Sequence, residues 1–285
     1  MTPVIVEQDF VLSRLAGSTG SAEPPMVLVD VRWYLDGRDG RAAYEAGHLP
    51  GAVWVDLDRD LAGHGLPTTE GRHPLPTPEA FAVAMGALGI GDDTLVVAYD
   101  DTGGLTAGRL VVMLRMLGRD AAMLNGGMRT WTGPVESGWV QPGSASFTVR
   151  PWPTDRLVDA DTTAAAAAAG TAVIDARPYE RFTGEVAMID PRPGHIPGAR
   201  SAPWSAVLDA DGRLLSVDRL RAHYGALGVS DEPQQGHTIA YCGSGVSACM
   251  NAVALEHAGF APPRLYVASW SGWSADPHRP AALGD

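Results

Sequence analysis

The chain has 285 residues, of which 45% are hydrophobic and 19% charged, as is typical of a soluble globular protein with a sizeable core. Its formal net charge of −12 disfavours binding to nucleic acid or to an anionic membrane surface, because the overall field repels both. Two cysteines argue against a disulfide framework and a structural zinc site and favour a reducing, cytoplasmic location. No apolar run reaches the roughly 18 residues of a membrane span, and the first residues lack the pattern of a cleaved signal peptide.

The sequence repeats itself in four places, in the same order and at offsets of 142 to 147 residues. The matching pairs are residues 27–32 with 172–177, 47–52 with 194–199, 98–100 with 240–242 and 124–131 with 266–273. Such a constant offset predicts two copies of one domain. A Pro- and Gly-rich stretch without periodicity separates them, which predicts domains at 1–141 and 157–285 joined by a linker at 142–156.

Short apolar strands alternate with helices in both copies. In chain order, strands are predicted at 27–31, 94–99 and 121–124 and helices at 78–88 and 105–117 in the first copy. In the second copy a helix is predicted at 163–169, a strand at 238–241 and a helix at 248–257. Thr77 and Pro78 form a strong helix start, with threonine as the N-cap and proline in the first turn. The alternation predicts an α/β protein in which each copy forms a parallel sheet covered by helices on both faces.

Cys242 lies where the predicted strand 238–241 ends and the helix 248–257 begins. Gly243 and Gly245 allow the backbone to curl around the sulfur, so that successive N–H groups form a nest for an anion. The helix adds its positive end, and together these features favour a nucleophilic thiolate. The alternative is an inert, buried cysteine, which suits a Gly-Ser-Gly surrounding poorly.

The loop at 242–248, Cys-Gly-Ser-Gly-Val-Ser-Ala, resembles the active-site loop of the rhodanese-type sulfurtransferases. It is most similar to the branch that uses 3-mercaptopyruvate, whose loop has threonine in place of Ser247. The thiosulfate branch has basic residues directly after the cysteine, where this chain has Gly243 and Ser244. The repeated Gly-His-Leu/Ile-Pro-Gly-Ala motif and residues 265–273 resemble the two family signatures, with Gly272 where members often have glutamate. The resemblance covers nearly the whole chain and implies two tandem rhodanese-like domains.

The alignment of the two copies places Asp100 opposite Cys242. A carboxylate cannot carry a sulfur atom, so the first copy is expected to be catalytically silent at its own loop. The resemblance implies that the silent domain lends residues to a cleft shared with the active one.

The resemblance also assigns roles to residues outside the loop. Arg181 matches an arginine that binds the anionic substrate, and a guanidinium fork suits a carboxylate or α-keto acid. Arg192 matches a second substrate arginine. His73 and Asp58 match a histidine and the carboxylate that orients it, and Ser244 completes a Ser–His–Asp set that can move protons near neutral pH.

The loop residues expected to contact the substrate through the backbone N–H groups of the nest are Gly243, Gly245, Val246 and Ser247.

Other conspicuous residues are expected to have structural roles. Repetition in the silent copy favours structural roles for Arg32, Arg177, His48 and His195. Cys249 lies inside the predicted helix and is expected in the core.

The implied reaction is a two-step sulfur transfer through a Cys242 persulfide, with no metal or organic cofactor. The donor is 3-mercaptopyruvate, with thiosulfate as the alternative, and the acceptor is thioredoxin, a small thiol or cyanide. Two other classes compete. A phosphatase of related fold needs an arginine six residues after the cysteine, where this chain has Ala248. A non-catalytic module that uses Cys242 as a redox switch would bind a partner without turnover.

Overall fold

The computed structural model describes residues 1–17, 24–187, 189–230 and 237–284. They fold into two compact units. Unit 1 comprises Met1–Ala62, Pro76–Trp152 and Ala210–Leu214, and unit 2 comprises Gly63–Leu75, Pro153–Asp209 and Leu215–Asp285. Among the helices of these described ranges, none is long and apolar enough to cross a membrane.

Unit 1 is built on a parallel sheet in which the described strands follow the order β1-β5-β4-β2-β3. The strands are β1 (Ile5–Val6), β2 (Met26–Asp30), β3 (Val53–Trp54), β4 (Leu95–Tyr99) and β5 (Ala121–Leu124). The helices are α1 (Gln8–Ala16), α2 (Gly40–Ala46), α3 (Leu57–Asp60), α4 (Pro78–Ala87), α5 (Ala107–Met116) and α6 (Gly127–Thr130). All five residues of β4 are buried, as expected for a central strand covered on both faces.

Unit 2 repeats this plan with the strand order β7-β6-β8-β9 in its described part, again parallel. Its strands are β6 (Val173–Asp175), β7 (Arg200–Ser201), β8 (Ile239–Tyr241) and β9 (Arg264–Leu265). Its helices are α7 (Ala160–Ala168), α8 (Tyr179–Thr183), α9 (Val217–Ala226), α10 (Ala248–His257) and α11 (Ser269–Ala275), with 3-10 turns at Thr68–Glu70 and Trp204–Val207. Trp270 and Trp273 of α11 complete the core around Tyr241.

The predicted α/β class, with a helix-flanked parallel sheet in each copy, is confirmed. The sequence signals act as expected: Thr77 caps α4 through an Ala80 N–H to Oγ1 bond, and α10 spans Ala248–His257, the predicted range. The end of β8 and the start of α10 therefore bracket the loop that carries Cys242.

The repeated Asp-x-Arg and Gly-His motifs form the same internal support in both units. Arg32 Nη2 donates to Asp30 Oδ2 at 2.6 Å and to Gly47 O at 2.6 Å. Arg177 Nη2 makes the equivalent bonds to Asp175 Oδ2 and to Gly194 O, both at 2.7 Å. These arginines therefore tie the end of a central strand to the following turn.

The histidines of the same motif also bond to the backbone. His48 Nδ1 lies 3.1 Å from Tyr44 O, and His195 Nδ1 lies 2.9 Å from Phe182 O. The structural interpretation of the repeated arginines and histidines agrees with these contacts.

The units do not follow the sequence repeat everywhere. The segment Gly63–Leu75, which belongs to the first copy in sequence, is part of unit 2, and Ala210–Leu214 of the second copy is part of unit 1. The repeat does not predict this exchange, because periodicity reports where a pattern recurs and not which chain segments pack together. The exchange matters for function because Gly63–Leu75 contains His73.

Candidate active site

The loop after β8 wraps around the sulfur of Cys242, which is 1% exposed. The N–H of Gly245 points at Cys242 Sγ at a distance of 3.1 Å, and Gly245 has φ = +79°, a conformation that favours glycine. The backbone curl expected from the Gly-Ser-Gly sequence is therefore present. An N–H donor at the sulfur stabilises negative charge on it, both as a thiolate and as a persulfide.

Helix α11 is hydrogen-bonded to the backbone of this loop. The N–H groups of Trp270 and Ser271 donate to the carbonyl oxygens of Cys242 and Gly243, each at 2.9 Å. Ser269 Oγ accepts the Cys242 N–H at 3.1 Å and lies 4.0 Å from Cys242 Sγ. Ser269 has φ = +55°, an unfavourable value for a residue with a side chain. The strain places its hydroxyl beside the sulfur, and such strain is found at functional sites.

The backbone of the segment Gly63–Leu75 packs closely against the backbone of the same helix. A Cβ added at Gly71 would lie 2.4 Å from Ala268 O, and one added at Gly272 would lie 2.4 Å from Thr69 O. Both distances are below any real contact, so each position requires glycine. Gly272, which stands where family members often have glutamate, is thus a condition for this close approach.

The packing of this segment delivers His73 to the loop. His73 Nδ1 lies 2.8 Å from Ser244 Oγ, and both side chains are buried. The N–H of the preceding residue, Arg72, donates to Ser271 Oγ at 3.1 Å, which fixes the backbone at this point. A hydroxyl and an imidazole in direct contact, two residues from the thiol, can pass a proton between them.

Two guanidinium groups lie against the Cα of Gly243. A Cβ added there would be 3.0 Å from Arg181 Nη2 and 3.1 Å from Arg72 Nη2. A side chain at position 243 would therefore require both guanidinium groups to shift by a few tenths of an ångström. Arg72 and Arg181 thus place positive charge directly after the cysteine, at a position where this chain has no basic residue of its own.

The two arginines converge on Asp190, whose side chain is 1% exposed. Arg72 Nη1 donates to Oδ1 at 3.0 Å, and Arg181 donates to Oδ2 from Nε at 3.1 Å and from Nη2. Arg177 Nη1 lies 3.5 Å from the same Oδ2. Burial opposes the charged form of Arg177, but the adjacent carboxylates, Asp175 first and then Asp190, contribute to a net rise of the pKa of the guanidinium above its usual value.

The corresponding loop of unit 1 has another occupant. Asp100 Oδ1 accepts the N–H groups of Thr102 and Gly104, both at 2.8 Å. Its Oδ2 accepts those of Thr106 and Ala107 at 2.8 and 3.0 Å, and the Thr106 hydroxyl at 3.0 Å. The anion nest of unit 1 is filled by a carboxylate of the chain itself.

Two copies of one α/β unit, with one loop closed around a cysteine and the other around an aspartate, match a known family along most of the chain. Residues 18–133 and 159–276 each match the Rhodanese-like domain. The chain belongs to the rhodanese family. The tandem rhodanese arrangement predicted from the motifs is confirmed.

Individual relatives match more than nine-tenths of the chain. It is 41% identical to a Pseudomonas aeruginosa protein named "Probable 3-mercaptopyruvate sulfurtransferase", over 93% of this chain and 94% of that protein. It is 39% identical to a Mycobacterium tuberculosis protein named "Putative thiosulfate sulfurtransferase SseB", over 95% of each. The crystal structure of SseA from Escherichia coli, a 3-mercaptopyruvate sulfotransferase by its description, superposes with a TM-score of 0.80 at 32% identity, over 94% of this chain and 99% of that one.

The rhodanese site brings together several residues expected from the sequence. Ser244 and His73 are in contact, and Arg181 lies beside Gly243. Cys249 is buried next to the loop, with Sγ 3.4 Å from Gly245 O, so its assignment to the core is confirmed. Asp58 belongs to unit 1, where its Oδ2 accepts the Trp33 Nε1–H at 2.8 Å.

Arg192 has a different setting from the one expected. Its guanidinium donates to the backbone carbonyls of Arg279 at 2.9 Å, Asp276 at 3.0 Å and Ser274 at 3.1 Å. An arginine with its donors on main-chain carbonyls fastens the segment after α11. The geometry favours this structural role over the substrate contact that the resemblance implied.

Three side chains of this site are not among the residues predicted from the sequence: Arg72, Asp190 and Ser269. Arg72 directly precedes the singled-out His73, and its charge in an acidic protein was a usable signal. Asp190 carried none, because it lies nine residues from Arg181 in a segment without periodicity. Ser269 aligns with Gly127, which has φ = +53° in unit 1, so a serine at a glycine position was visible in the repeat.

Proposed function

We propose that this protein transfers a sulfur atom from 3-mercaptopyruvate to a thiol or cyanide acceptor through a persulfide on Cys242. The sulfurtransferase prediction is confirmed at the level of enzyme class by relatives with that name. The observation that carries the donor assignment is the pair of guanidinium groups against Gly243, next to Cys242. They offer forked donors to a small carboxylate beside the nucleophile.

In the first step Arg72 and Arg181 hold the donor carboxylate and keto oxygen. The Cys242 thiolate attacks the donor sulfur and forms the S–S bond. The carbon–sulfur bond breaks, and its electron pair passes to carbon as the enolate of pyruvate. The proton of the donor thiol moves to this carbon, so the products are pyruvate and the Cys242 persulfide anion.

The Ser244–His73 pair supplies the route for this proton. The Ser244 hydroxyl lies two residues from the sulfur and in contact with His73 Nδ1, at 2.8 Å. A histidine relays protons efficiently near neutral pH. The orientation of His73 by Asp58 remains a prediction from the resemblance.

The persulfide anion is stabilised by the nest, in which the N–H groups of Gly243, Gly245, Val246 and Ser247 are the proposed donors. The Gly245 N–H already points at Sγ, at 3.1 Å. In the second step the acceptor thiolate or cyanide takes the outer sulfur and regenerates the Cys242 thiolate. Every atom and charge is accounted for without a metal or organic cofactor.

Three expectations from the sequence remain predictions. The first is that thioredoxin or a small thiol is the acceptor, and the second is a cytoplasmic location. The third is the division into domains 1–141 and 157–285 with the linker 142–156.

The test is the steady-state kcat/KM for 3-mercaptopyruvate and for thiosulfate, measured on one preparation with cyanide as the common acceptor. We expect a preference for 3-mercaptopyruvate of at least about tenfold, or about 1.4 kcal/mol of transition-state discrimination. The M. tuberculosis relative named for thiosulfate makes that donor the second candidate. A preference for thiosulfate would overturn the donor assignment and the Ser244–His73 relay while leaving the persulfide in place.

Intact-mass measurement separates the enzyme from a redox switch. Incubation with 3-mercaptopyruvate and no acceptor adds the mass of one sulfur atom to the wild type and nothing to Cys242→Ser. Cyanide then removes the added mass and yields thiocyanate. Peroxide-dependent partner binding without turnover would contradict the proposed function.

A further inference from the structure

Asp190 is buried within this site, and the negative charge of its carboxylate opposes anion binding there. We propose that Asp190 is a specificity-determining residue: its carboxylate lowers the positive charge of the donor site so that a monoanionic donor is favoured over a dianionic one. The inference rests on the proposed function, because it concerns the donor of the same reaction. It assigns a task to a residue that no motif singles out.

Asp190 contacts three arginines of the site. Its Oδ1 accepts from Arg72, and its Oδ2 accepts from Arg181 and lies within 3.5 Å of Arg177. The side chains of Asp190 and Arg177 are 1% and 2% exposed, and Arg72 is the most open of the three arginines at 30%. Burial reduces screening by water, so the charges of Asp190 and Arg177 act on one another and on a bound ion more strongly than surface charges do, whereas the more open Arg72 stays partly screened.

We call Arg72, Arg177, Arg181, Asp175 and Asp190 the Asp190 cluster. Its three guanidinium groups and two carboxylates leave one net positive charge. Asp175 is committed to Arg177, to which it is bonded through both carboxylate oxygens, and these two charges compensate each other. Asp190 therefore decides whether Arg72 and Arg181 present two positive charges to the donor or one.

The two candidate donors differ in this respect. 3-Mercaptopyruvate carries one negative charge at neutral pH, on its carboxylate, whereas thiosulfate carries two. A site with one net positive charge neutralises the first and leaves the second with an excess negative charge beside the Cys242 thiolate. Asp190 thus discriminates by repulsion, and specificity often depends on such an unfavourable element.

Asp190 has a second consequence for positioning. Its two oxygens hold the Arg72 and Arg181 guanidinium groups, which arrive from different chain segments, next to Gly243. The amide of Asp190→Asn retains one acceptor oxygen and the size of the side chain while it removes the charge. Asp190→Glu retains the charge and changes the length.

The experiment compares the ratio of kcat/KM for thiosulfate to kcat/KM for 3-mercaptopyruvate in the wild type, Asp190→Asn and Asp190→Glu. We expect Asp190→Asn to raise this ratio by about tenfold or more at low ionic strength, and less at high salt. Asp190→Glu should leave the ratio near the wild-type value even where both kcat/KM values fall. A purely structural role would lower both donors together and leave the ratio unchanged.

A second part of the experiment tests whether the net charge, and not one particular variant, sets the ratio of the two kcat/KM values. Arg72→Gln removes a positive charge and should shift the ratio towards 3-mercaptopyruvate. The double variant Asp190→Asn/Arg72→Gln restores the net charge and should return the ratio to about the wild-type value. Asp92→Asn in unit 1, which removes the partner of Arg119, is the control for an equal change in total charge and should not move the ratio.

The outcomes separate the two hypotheses. An unchanged ratio in Asp190→Asn, or the same shift in Asp190→Glu, overturns the role of Asp190 while the proposed function stands. A wild-type preference for thiosulfate overturns the donor assignment, and the direction of the Asp190→Asn shift still tests the residue. If Asp190→Asn does not fold, Arg72→Gln decides: a shift towards thiosulfate or none at all contradicts the inference.

Discussion

The loops that follow β4 in unit 1 and β8 in unit 2 are built alike and hold different anions. In unit 1 the nest closes on the Asp100 carboxylate, which takes four N–H groups and a hydroxyl. In unit 2 the nest closes on the Cys242 sulfur, with the Gly245 N–H directed at it. The duplicated fold supplies the same anion-binding loop twice, and the residue at its first position decides whether the nest is internally satisfied or available for chemistry.

The charged residues around the two loops also differ between the units. Four residues after the repeated Asp-x-Arg arginine, unit 1 has Asp36 and unit 2 has Arg181. Asp36 is exposed and pairs with Arg38 at 3.0 Å, whereas Arg181 is buried beside the loop. Unit 2 also gains Arg72 from the Gly63–Leu75 segment. A nucleophile alone does not make a sulfurtransferase site, since the donor is an anion and needs cations next to the sulfur.

Exchange of the two loop residues is the strongest test of this comparison. In Asp100→Cys/Cys242→Asp the thiol moves to unit 1, and we expect sulfur transfer to fall by at least about 10⁴-fold, as for loss of a nucleophile. Transfer is measured with 3-mercaptopyruvate and cyanide. Asp100→Cys alone retains Cys242 and should keep its activity if the protein folds. A persulfide found at position 100 would break the comparison.

Removal of the unit 1 carboxylate should be costly for stability. Asp100→Ala leaves buried N–H groups without an acceptor, and we expect the free energy of unfolding to fall by about 3 kcal/mol or more. Asp100→Asn retains one oxygen and should lose about half as much. Urea denaturation followed by circular dichroism measures both. Equal stability of Asp100→Ala and the wild type would mean that the nest of unit 1 does not need its occupant.

The proposed proton relay is a further difference between the two loops. Ser244 contacts His73 in unit 2, and Thr102 stands at the corresponding position, two residues after Asp100. We expect His73→Ala and Ser244→Ala each to lower kcat by about 100-fold, with little further loss in the double variant, because the two residues act as one unit. Thr102→Ala is the matched control and should leave kcat unchanged. Unaffected kcat in His73→Ala would remove the relay from the mechanism.

The smallest expected effect concerns the helix that supports the site. Unit 2 has Gly272 where unit 1 has Thr130, and only glycine admits Thr69 O. Gly272→Ala should shift the Gly63–Leu75 segment and with it Arg72 and His73, lowering kcat/KM by about tenfold and stability by about 1–3 kcal/mol.

The control for this change lies in α9. A Cβ added at Gly225 meets nothing within 4 Å, so Gly225→Ala should raise stability by up to about 1 kcal/mol and leave kcat/KM unchanged. Wild-type kcat/KM in Gly272→Ala would show that the segment does not depend on this contact.

The sequence by itself determined the duplicated α/β fold and the family, and it placed Cys242 and Asp100 at matching positions of the two loops. Each of these is a local or periodic signal: apolar runs of strand length, Gly-Ser-Gly after Cys242, and Asp100 in register with it. Such signals suffice because strand, turn and loop conformations depend on a few neighbouring residues. Ser244 and Arg181 also lie close in sequence to motifs that repeat or match the family.

Only the tertiary structure decided how the proposed donor site is charged. Arg72 and Arg181 are more than one hundred residues apart and meet because the Gly63–Leu75 segment packs on α11 against Gly272. Asp190 has meaning only once both arginines converge on it, and Arg192, which the family resemblance favoured, is turned away to backbone carbonyls. The physical reason is that charges act through distance and burial, and a sequence records neither for residues that packing brings together.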